Sequence, residues 1–212
     1  MKDNEPNPFD AIAQEYDRWF DDHKNTFLSD VEAIKFFLPN SGKGLDIGAG
    51  TGRFAAELGI QYGIEPSKNM AQIAKRRGID ISIGKAENMP YPDEAFDFAI
   101  LIAVDHFILE PEKAYREIFR VLAKEGKLLV GTLHKDGEVA QKRMNMDDPG
   151  TNKNVCFRTV EETVKQLKKA GFSGFKTCQT LLTVHPDKAE KPTPGHDKGS
   201  FVVIEALKAT GR

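Results

Sequence analysis

The sequence predicts an α/β fold in which a mainly parallel sheet is covered by helices on both faces. Short apolar segments alternate along the chain with segments whose apolar residues recur at helical spacing. One apolar segment, 95–104 (AFDFAILIAV), is long and uninterrupted, which is typical of a strand buried on both faces. The chain has 212 residues, of which 40% are hydrophobic and 29% charged. This is enough for the core of one domain covering 1–212.

The chain begins with a predicted helical cap over residues 1–40. In 9–20 (FDAIAQEYDRWF) the apolar residues lie three and four positions apart and so share one helical face. A second apolar pattern, 27–38, ends at Pro39 and is followed by the turn-like sequence NSGKG.

Strands and helices then alternate through the middle of the chain. The apolar patterns predict strands at 44–47, 60–66, 79–86, 95–104 and 126–133. Helices are predicted after Gly52, at 67–78 and at 112–123, and Ser67 is a suitable N-cap for the second of them. Because strands that alternate with helices form parallel sheets, these five strands should be parallel.

The C-terminal part predicts one more helix and two more strands. Thr159 and Glu162 have the spacing of a capping box, and the helix that they open should end at Gly171. The last two strands, near 172–184 and 200–207, have no helix between them and should pair antiparallel. The result is a seven-stranded sheet with an antiparallel last strand. Residues 135–157 are a polar insert after strand five, and we interpret them as a lid or specificity loop.

Composition excludes several classes of partner and location. The net charge is −2, with 30 basic and 32 acidic residues, so neither nucleic acid nor an anionic membrane is expected to bind. No apolar run reaches the roughly 18 residues of a membrane span, and residues 1–10 resemble no signal peptide. Cys156 and Cys178 are read as ordinary thiols of a cytoplasmic protein, and the scattered histidines and cysteines predict no metal site.

Three closely spaced glycines follow the first strand, in the sequence GLDIGAGTGRF (44–54). Open α/β sheets bind their ligands beyond the carboxyl ends of the strands, and glycines there bring a ligand close to the backbone. A P-loop is excluded because Phe54 follows Arg53, where Lys and Ser or Thr are needed at a longer spacing. A dinucleotide site is disfavoured because the third glycine comes one residue early. A glycine turn without a ligand is disfavoured by its cost in backbone entropy.

Four segments together resemble the class I methyltransferases that use S-adenosylmethionine (SAM). LDIGAGTGRF resembles their motif I, and YGIEPS places an acidic residue at the end of strand two. GKAENMPYP resembles the segment around the adenine, and AFDFAILIAVDHF resembles the fourth strand. The resemblance covers 9–207, including YDRWF, and is closest to the small-molecule branch that contains the ubiquinone and menaquinone methyltransferases. It implies a Rossmann-like fold. Lys85 departs from the family, which often has aspartate there, so the adenine contact would fall to Ala86, Glu87 and the backbone.

The resemblance also implies which residues bind SAM. A carboxylate at Glu65 would accept hydrogen bonds from both ribose hydroxyls, and Asp46 would orient the loop and the amino end of SAM. Arg53 would meet the SAM carboxylate or lie in solvent, and Tyr16 would contact SAM or belong only to the core. The implied cofactor-binding residues are Tyr16, Asp46, Gly48, Ala49, Gly50, Thr51, Gly52, Arg53, Glu65, Pro66, Ser67, Met70, Ala86, Glu87, Asn88, Ile102 and Ala103.

Methyl transfer from a sulfonium is an in-line displacement that mainly requires alignment and exclusion of water. A base is needed only if the acceptor still carries its proton. His106 and Asp105, directly after strand four, are the candidate base and orienting group, although an ordinary loop histidine is the alternative. Residues predicted to contact the acceptor, some of them on the cap and the insert, are Trp19, Phe107, His134, Met144, Met146 and Phe157. Of these, Trp19 fits core packing better, and His134 is a weaker second candidate for the base.

A small-molecule acceptor is expected: an amine, a phenol or quinol, or a carboxylate. The segment AVDHF differs from the DPPY and NPPY patterns of amino methyltransferases that act on nucleobases or glutamine. The alternatives are a non-catalytic SAM-binding protein, a protein or RNA methyltransferase with an open groove, and a nicotinamide-dependent dehydrogenase. The sequence leaves the oligomeric state open.

Overall fold

A computed structural model describes residues 7–146, 155–183 and 186–209 of the chain. Within them, one sheet of eight strands has the order β3-β2-β1-β4-β5-β8-β6-β7. The strands, numbered along the chain, are β1 Gly44–Ile47, β2 Tyr62–Glu65, β3 Asp80–Ile83, β4 Phe96–Ile102, β5 Leu122–Leu133, β6 Phe172–Thr180, β7 Thr193–Pro194 and β8 Phe201–Lys208.

The pairing of the strands confirms a mainly parallel sheet with an antiparallel last strand. Strands β1 to β5 pair in parallel, whereas β8 lies antiparallel between β5 and β6. The sheet has one strand more than predicted, because the polar connector before β8 contributes the two-residue strand β7 at the edge. Two residues within a polar segment cannot show the alternation of apolar and polar side chains that predicts a strand.

Helices cover both faces of the sheet. They are α1 Pro8–Asp22, α2 Lys24–Lys35, α3 Arg53–Leu58, α4 Lys68–Arg76, α5 Pro111–Val121, α6 Glu138–Met144 and α7 Val160–Lys169. One face is covered by α5 and α7, through residues such as Ile118 and Leu167. The other face is covered by α2, α3, α4 and α6, through residues such as Ile34, Ala74 and Ala140. In the part of the chain that is described, no helix is long and apolar enough to cross a membrane.

The start of β5 and the insert differ from the sequence-based expectation. Strand β5 begins at Leu122, directly after α5, and not at residue 126. The insert contains the helix α6, although its sequence has no helical periodicity of apolar residues. That helix buries only Ala140, so it has no apolar stripe that a pattern could reveal. Residues 147–154 of the insert lie outside the described residues.

Two predicted helix caps are present. Thr159 and Glu162 form the capping box of α7, with both of its hydrogen bonds made. The Ser67 hydroxyl caps α4 by accepting from the Met70 N–H. These caps fix where α4 and α7 begin, and the start of α4 is next to the end of β2.

Candidate functional site

The three glycines after β1 all have the left-handed backbone, with φ of 70° at Gly48, 55° at Gly50 and 78° at Gly52. A Cβ on Gly48 would lie 2.6 Å from a methyl group of Val104, and one on Gly52 would lie 3.0 Å from the Ala74 Cβ. Gly50 differs, since its Cβ would have no closer neighbour than Tyr16 at 3.7 Å. Gly48 and Gly52 are therefore required by packing within the protein. Gly50 is the position that leaves backbone accessible to a ligand.

Glu65, the last residue of β2, ties the glycine loop to the start of α4. One carboxylate oxygen accepts from the Gly50 N–H at 2.9 Å, and the other accepts from the Ser67 N–H at 2.8 Å. A carboxylate oxygen has two lone-pair sites, so each oxygen can accept one further hydrogen bond. Glu65 can therefore hold two neighbouring hydroxyls beside Gly50.

Asp46 and Glu65 place two buried carboxyl groups under the glycine loop. Burial raises the pKa of Asp46 to about 8, the Glu65 charge raises it as well, and a hydrogen bond from the Ala55 backbone acts against them. Burial raises the pKa of Glu65 to about 7, against the hydrogen bonds from Ser67 and Gly50. Because two carboxylates this close repel, a ligand with positive charge and hydroxyl donors would favour their ionised forms.

The first turn of α1 is fastened to the start of α4. The Asp10 carboxylate accepts from the Ser67 hydroxyl at 2.7 Å and from the Asn69 N–H at 3.0 Å. The Asn69 side chain donates in return to the Asp10 carbonyl at 2.9 Å. The hydroxyl of Ser67, a predicted SAM-binding residue, thus donates to Asp10 and accepts from the Met70 N–H at the start of α4.

Arg53 is part of an ion-pair network with α1, and its contact with the SAM carboxylate stays a prediction. Its guanidinium donates to Asp17 at 3.0 Å and to Asp21 at 2.7 and 2.8 Å. Arg77 donates to Asp17 at 2.7 Å and to the Thr51 carbonyl at 2.7 Å. Burial alone would raise the pKa of Asp17, but the hydrogen bonds from Arg77 and Arg53 hold it at about 2. We call these four side chains, Asp17, Asp21, Arg53 and Arg77, the latch.

Aromatic side chains of α1 roof the glycine loop and the end of β4. Phe9 contacts Phe107 edge to face at 5.2 Å between ring centroids, and Tyr16 lies 6.2 Å from Phe9 and 5.3 Å from Phe20. Burial raises the pKa of Tyr16 to about 12, while the charge of Arg143 on α6 lowers it and that of Glu65 raises it. Tyr16 is therefore near both the glycine loop and α6, and its contact with SAM stays a prediction.

The chain turns sharply after β4 and brings His106 to the carboxyl edge of the sheet. Ala103 has a φ of 53°, and a 3-10 turn follows over Asp105–Phe107. The buried His106 ring stacks on Phe157 at 4.9 Å, and neither ring nitrogen has a hydrogen-bond partner among the described residues. Its Nδ1 is 3.5 Å from Asp105, whose other oxygen accepts from the Thr132 hydroxyl at 3.0 Å. This arrangement can orient the imidazole and leave a nitrogen available.

Arg158 holds the segment that carries His106. Its guanidinium, almost fully buried, donates to the carbonyls of Asp105 at 2.6 Å and Ile108 at 3.2 Å. The Cys156 N–H donates to the His106 carbonyl at 2.8 Å. Sequence reasoning missed Arg158, because a single arginine after a polar insert gives no signal of burial.

Three of the predicted acceptor contacts lie on the surface. Trp19 is 40% exposed and stacks on His23, and Met144 and Met146 are 43% and 62% exposed. Phe157 is buried against His106, as described above. His134 follows β5, with its ring 6.4 Å from His196 and one nitrogen 3.8 Å from Asp136.

The residues predicted around the adenine are divided between core and surface. Ala86 is buried in the core, whereas Glu87 and Asn88 line a surface groove of about 560 Å³ with the first turns of α5. Pro66 is half-buried, and Met70 is buried with its sulfur 3.8 Å from where a Gly50 Cβ would lie. Ile102 is buried at the end of β4. Ala49 and Thr51 are buried within the loop, where Ala49 donates to the Ile64 carbonyl.

Comparisons with known proteins agree with this site. Residues 45–130 match the family described as "Methyltransferase domain". A crystal structure from Thermotoga maritima, described as a SAM-dependent methyltransferase and possible histamine N-methyltransferase, is 39% identical. The match covers 95% of this chain and 98% of that one, with a TM-score of 0.91. An uncharacterised protein of Methanocaldococcus jannaschii is 38% identical over 95% of this chain and 99% of its own length.

The chain belongs to the class I SAM-dependent methyltransferases. It is an enzyme of that class, and S-adenosylmethionine is its methyl donor. A more distant relative is the norajmaline N-methyltransferase of Rauvolfia serpentina, which is 29% identical over 53% of this chain and 43% of its own length. The residues present fit the donor, because the site offers space beside the half-buried backbone of Gly50 and the acceptor capacity of Glu65. The nicotinamide-dependent alternative is thereby set aside, whereas the resemblance to the quinone branch in particular stays a prediction.

Proposed function

We propose that the protein transfers a methyl group from SAM to a nitrogen of a small organic amine. The observation that carries this proposal is the aromatic roof of α1, in which Phe9 packs directly on Phe107 above the end of β4. A protein or RNA acceptor needs an open groove at that edge. A roofed and largely apolar space suits a small acceptor and excludes water from the transfer.

The choice of nitrogen rests on the relatives and on charge. The Thermotoga maritima relative is described as a possible histamine N-methyltransferase, and the Rauvolfia serpentina relative as an N-methyltransferase. The carboxyl groups of Asp46, Glu65 and Asp105 are all buried near this edge. Of these, only Asp105 lies beside His106, and an acidic group there favours a basic acceptor over a carboxylate.

In this proposal SAM supplies an electrophilic methyl group, and the residues of the chain orient the donor and the acceptor. Glu65 and the Gly50 backbone would hold the ribose end. His106, oriented by Asp105, would accept the proton that an amine loses as it becomes a nucleophile. Neither ring nitrogen of His106 has a hydrogen-bond partner in the described part of the chain, so one of them would take up this proton once an acceptor lies beside the ring.

A substrate panel tests the proposal. Purified protein is incubated with SAM and separate sets of small amines, phenols and carboxylic acids, and S-adenosylhomocysteine (SAH) release is measured. We expect release with amines, including histamine. Turnover confined to phenols or acids would contradict the choice of nitrogen. Tight SAM binding with no turnover on any set would favour a non-catalytic role.

The role of His106 has its own test. His106→Asn is expected to lower kcat by about 100-fold or more for an amine acceptor, because general-base catalysis contributes that order of rate. SAH affinity should stay unchanged. An unchanged kcat in the folded variant would leave His106 a packing residue against Phe157.

A further inference from the structure

Helix α2 buries an acidic side chain that the site described above does not use. Asp30 is only 8% exposed, and its Oδ1 has no hydrogen-bond partner within 7–146, 155–183 and 186–209. Burial raises its pKa well above the usual range, and the neighbouring Glu190 raises it further. Among the described residues, no cation offsets this charge. An isolated buried carboxylate is costly, so its presence needs a reason.

Asp30 lies at the carboxyl edge of the sheet, where ligands of this architecture bind. The Cys178 thiol of β6 donates to the Ala33 carbonyl of α2 at 3.4 Å, which fixes how the two elements lie. The N-terminal half of α2 contacts the segment that follows β6. There the Ser29 hydroxyl accepts from the Glu190 N–H at 2.8 Å. Asp30, one turn before Ala33, therefore lies level with the end of β6.

A second unsatisfied polar group faces the same place. Thr180 ends β6 and shares a face of the strand with Cys178, because side chains alternate along a strand. Cys178 faces α2, so the Thr180 side chain faces α2 as well. Thr180 is fully buried, and its hydroxyl has no partner among the described residues. Two buried polar groups without partners thus lie on two elements, α2 and β6, that pack against each other.

The end of β6 belongs to the same apolar cluster as Phe157, the residue that stacks on His106. Leu133, Ala140 and Leu181 are further members of that cluster. The charge of Asp30 is also one of those that raise the pKa of Tyr16, the residue over Gly50.

We propose that Asp30 and Thr180 form the anchoring subsite of the acceptor and bind a protonated nitrogen. This inference rests on the proposed function, which it narrows to amines with two basic nitrogens. One nitrogen is charged and is held by the Asp30 carboxylate and the Thr180 hydroxyl. The other is neutral and receives the methyl group, since a protonated amine has no lone pair for attack.

Binding to SAH-loaded protein tests the subsite without requiring turnover. Isothermal titration compares histamine and 1,4-diaminobutane with imidazole-4-acetate and butyrate, which have similar size and opposite charge. Asp30→Asn is expected to weaken binding of the two amines by about tenfold or more, because one partner of a desolvated charge pair is lost. Thr180→Val should weaken it less, and Glu32→Gln, on the exposed side of α2, should leave it unchanged.

The outcomes separate the subsite from the proposed function. Unchanged amine binding by Asp30→Asn, equal binding of the carboxylates, or no amine binding at all would each overturn the subsite. Amine binding that depends on Asp30, with no methyl transfer to any amine, would uphold the subsite and contradict the proposed function. Asn has the size of the Asp30 side chain and carries no charge that burial penalises, so Asp30→Asn should melt at or above the wild-type temperature. Lost binding then cannot be attributed to unfolding.

Discussion

At the scale of single residues, the glycine loop divides into packing positions and one ligand position. Gly48→Ala would bring a Cβ to 2.6 Å from Val104 at a left-handed φ, whereas Gly50→Ala finds its nearest neighbour at 3.7 Å. We expect Gly48→Ala to lower the free energy of unfolding by about 2–4 kcal/mol, from overpacking and strain together. Gly50→Ala should cost about 1 kcal/mol, from the left-handed φ alone. Urea unfolding measures both.

For SAH binding we expect the opposite order of effects, with Gly50→Ala more harmful than Gly48→Ala. Gly50→Ala places a methyl group where the donor approaches the backbone, so SAH affinity should fall by about tenfold or more. Gly48→Ala, where it remains folded, should bind SAH more nearly like wild type. Equal loss of binding in the two variants would mean that both glycines face the ligand.

Glu65 allows an equally local test. Glu65→Gln keeps one acceptor oxygen and replaces the other by an NH2 group. That NH2 group would face the N–H of Gly50 or the N–H of Ser67, so one of these two hydrogen bonds is lost. We expect SAH affinity to fall by about tenfold or more, because hydrogen bonds to a charged acceptor are the stronger ones. Glu57→Gln, on the exposed surface of α3, is the matched control. SAH binding by Glu65→Gln at wild-type strength would remove the ribose role.

At the scale of elements, the cap is held over the glycine loop by charge as well as by packing. The latch joins Asp17 and Asp21 of α1 to Arg53 and Arg77, and its four side chains are partly accessible to solvent. Such pairs are screened by salt. A donor that lies under α1 can leave only when the cap moves, so the latch should govern how fast SAH dissociates.

We therefore expect the SAH dissociation rate to rise several-fold between low and high salt. Asp17→Asn should raise it at low salt and make it less sensitive to added salt. Stopped-flow fluorescence of Trp19, which lies on α1, is a suitable measurement. Asp22→Asn, at the exposed end of the same helix, should behave like wild type. A rate that does not depend on salt in wild-type protein would mean that packing alone closes the cap.

The elements show how far the sequence could be read. Periodicity located all the long elements of the sheet, and cap residues such as Ser67 and Thr159 located two helix starts. Periodicity missed α6 and β7. A helix with one buried residue has no apolar stripe, and a two-residue strand is too short to show alternation. The glycine loop and Glu65 could be found because their roles depend on residue type. The latch, Asp10 and Arg158 could not be found, since their partners are far away in the sequence. Asp30 could not be found either, because no pattern in the sequence marks a single buried acidic residue on α2.

At the scale of the whole molecule, buried carboxyl groups set how stability depends on pH. The pKa of Asp46 is about 8 and that of Glu65 about 7 in the folded chain, against about 4 when unfolded. The folded protein thus binds more protons, and its free energy of unfolding falls as pH rises from about 4 to about 8. Asp17 acts oppositely, since its stabilising effect is lost as pH falls from about 4 through its folded pKa of about 2.

Together these groups predict that the ligand-free protein is most stable near pH 4, and that ligand binding moves this maximum upward. The ammonium group and ribose hydroxyls of SAH favour ionised Asp46 and Glu65, so binding should release protons near neutral pH and strengthen as pH rises. Melting temperatures from pH 3 to pH 9, with and without saturating SAH, measure both effects. Asp46→Asn should flatten the decline above pH 5, and Asp22→Asn should not. If the melting temperature of the ligand-free protein instead rose steadily from pH 5 to pH 8, Asp46 and Glu65 would be ionised in the folded protein. The ionised carboxylates would then be stabilised by groups of the protein itself, and binding of the donor would not be needed to stabilise them.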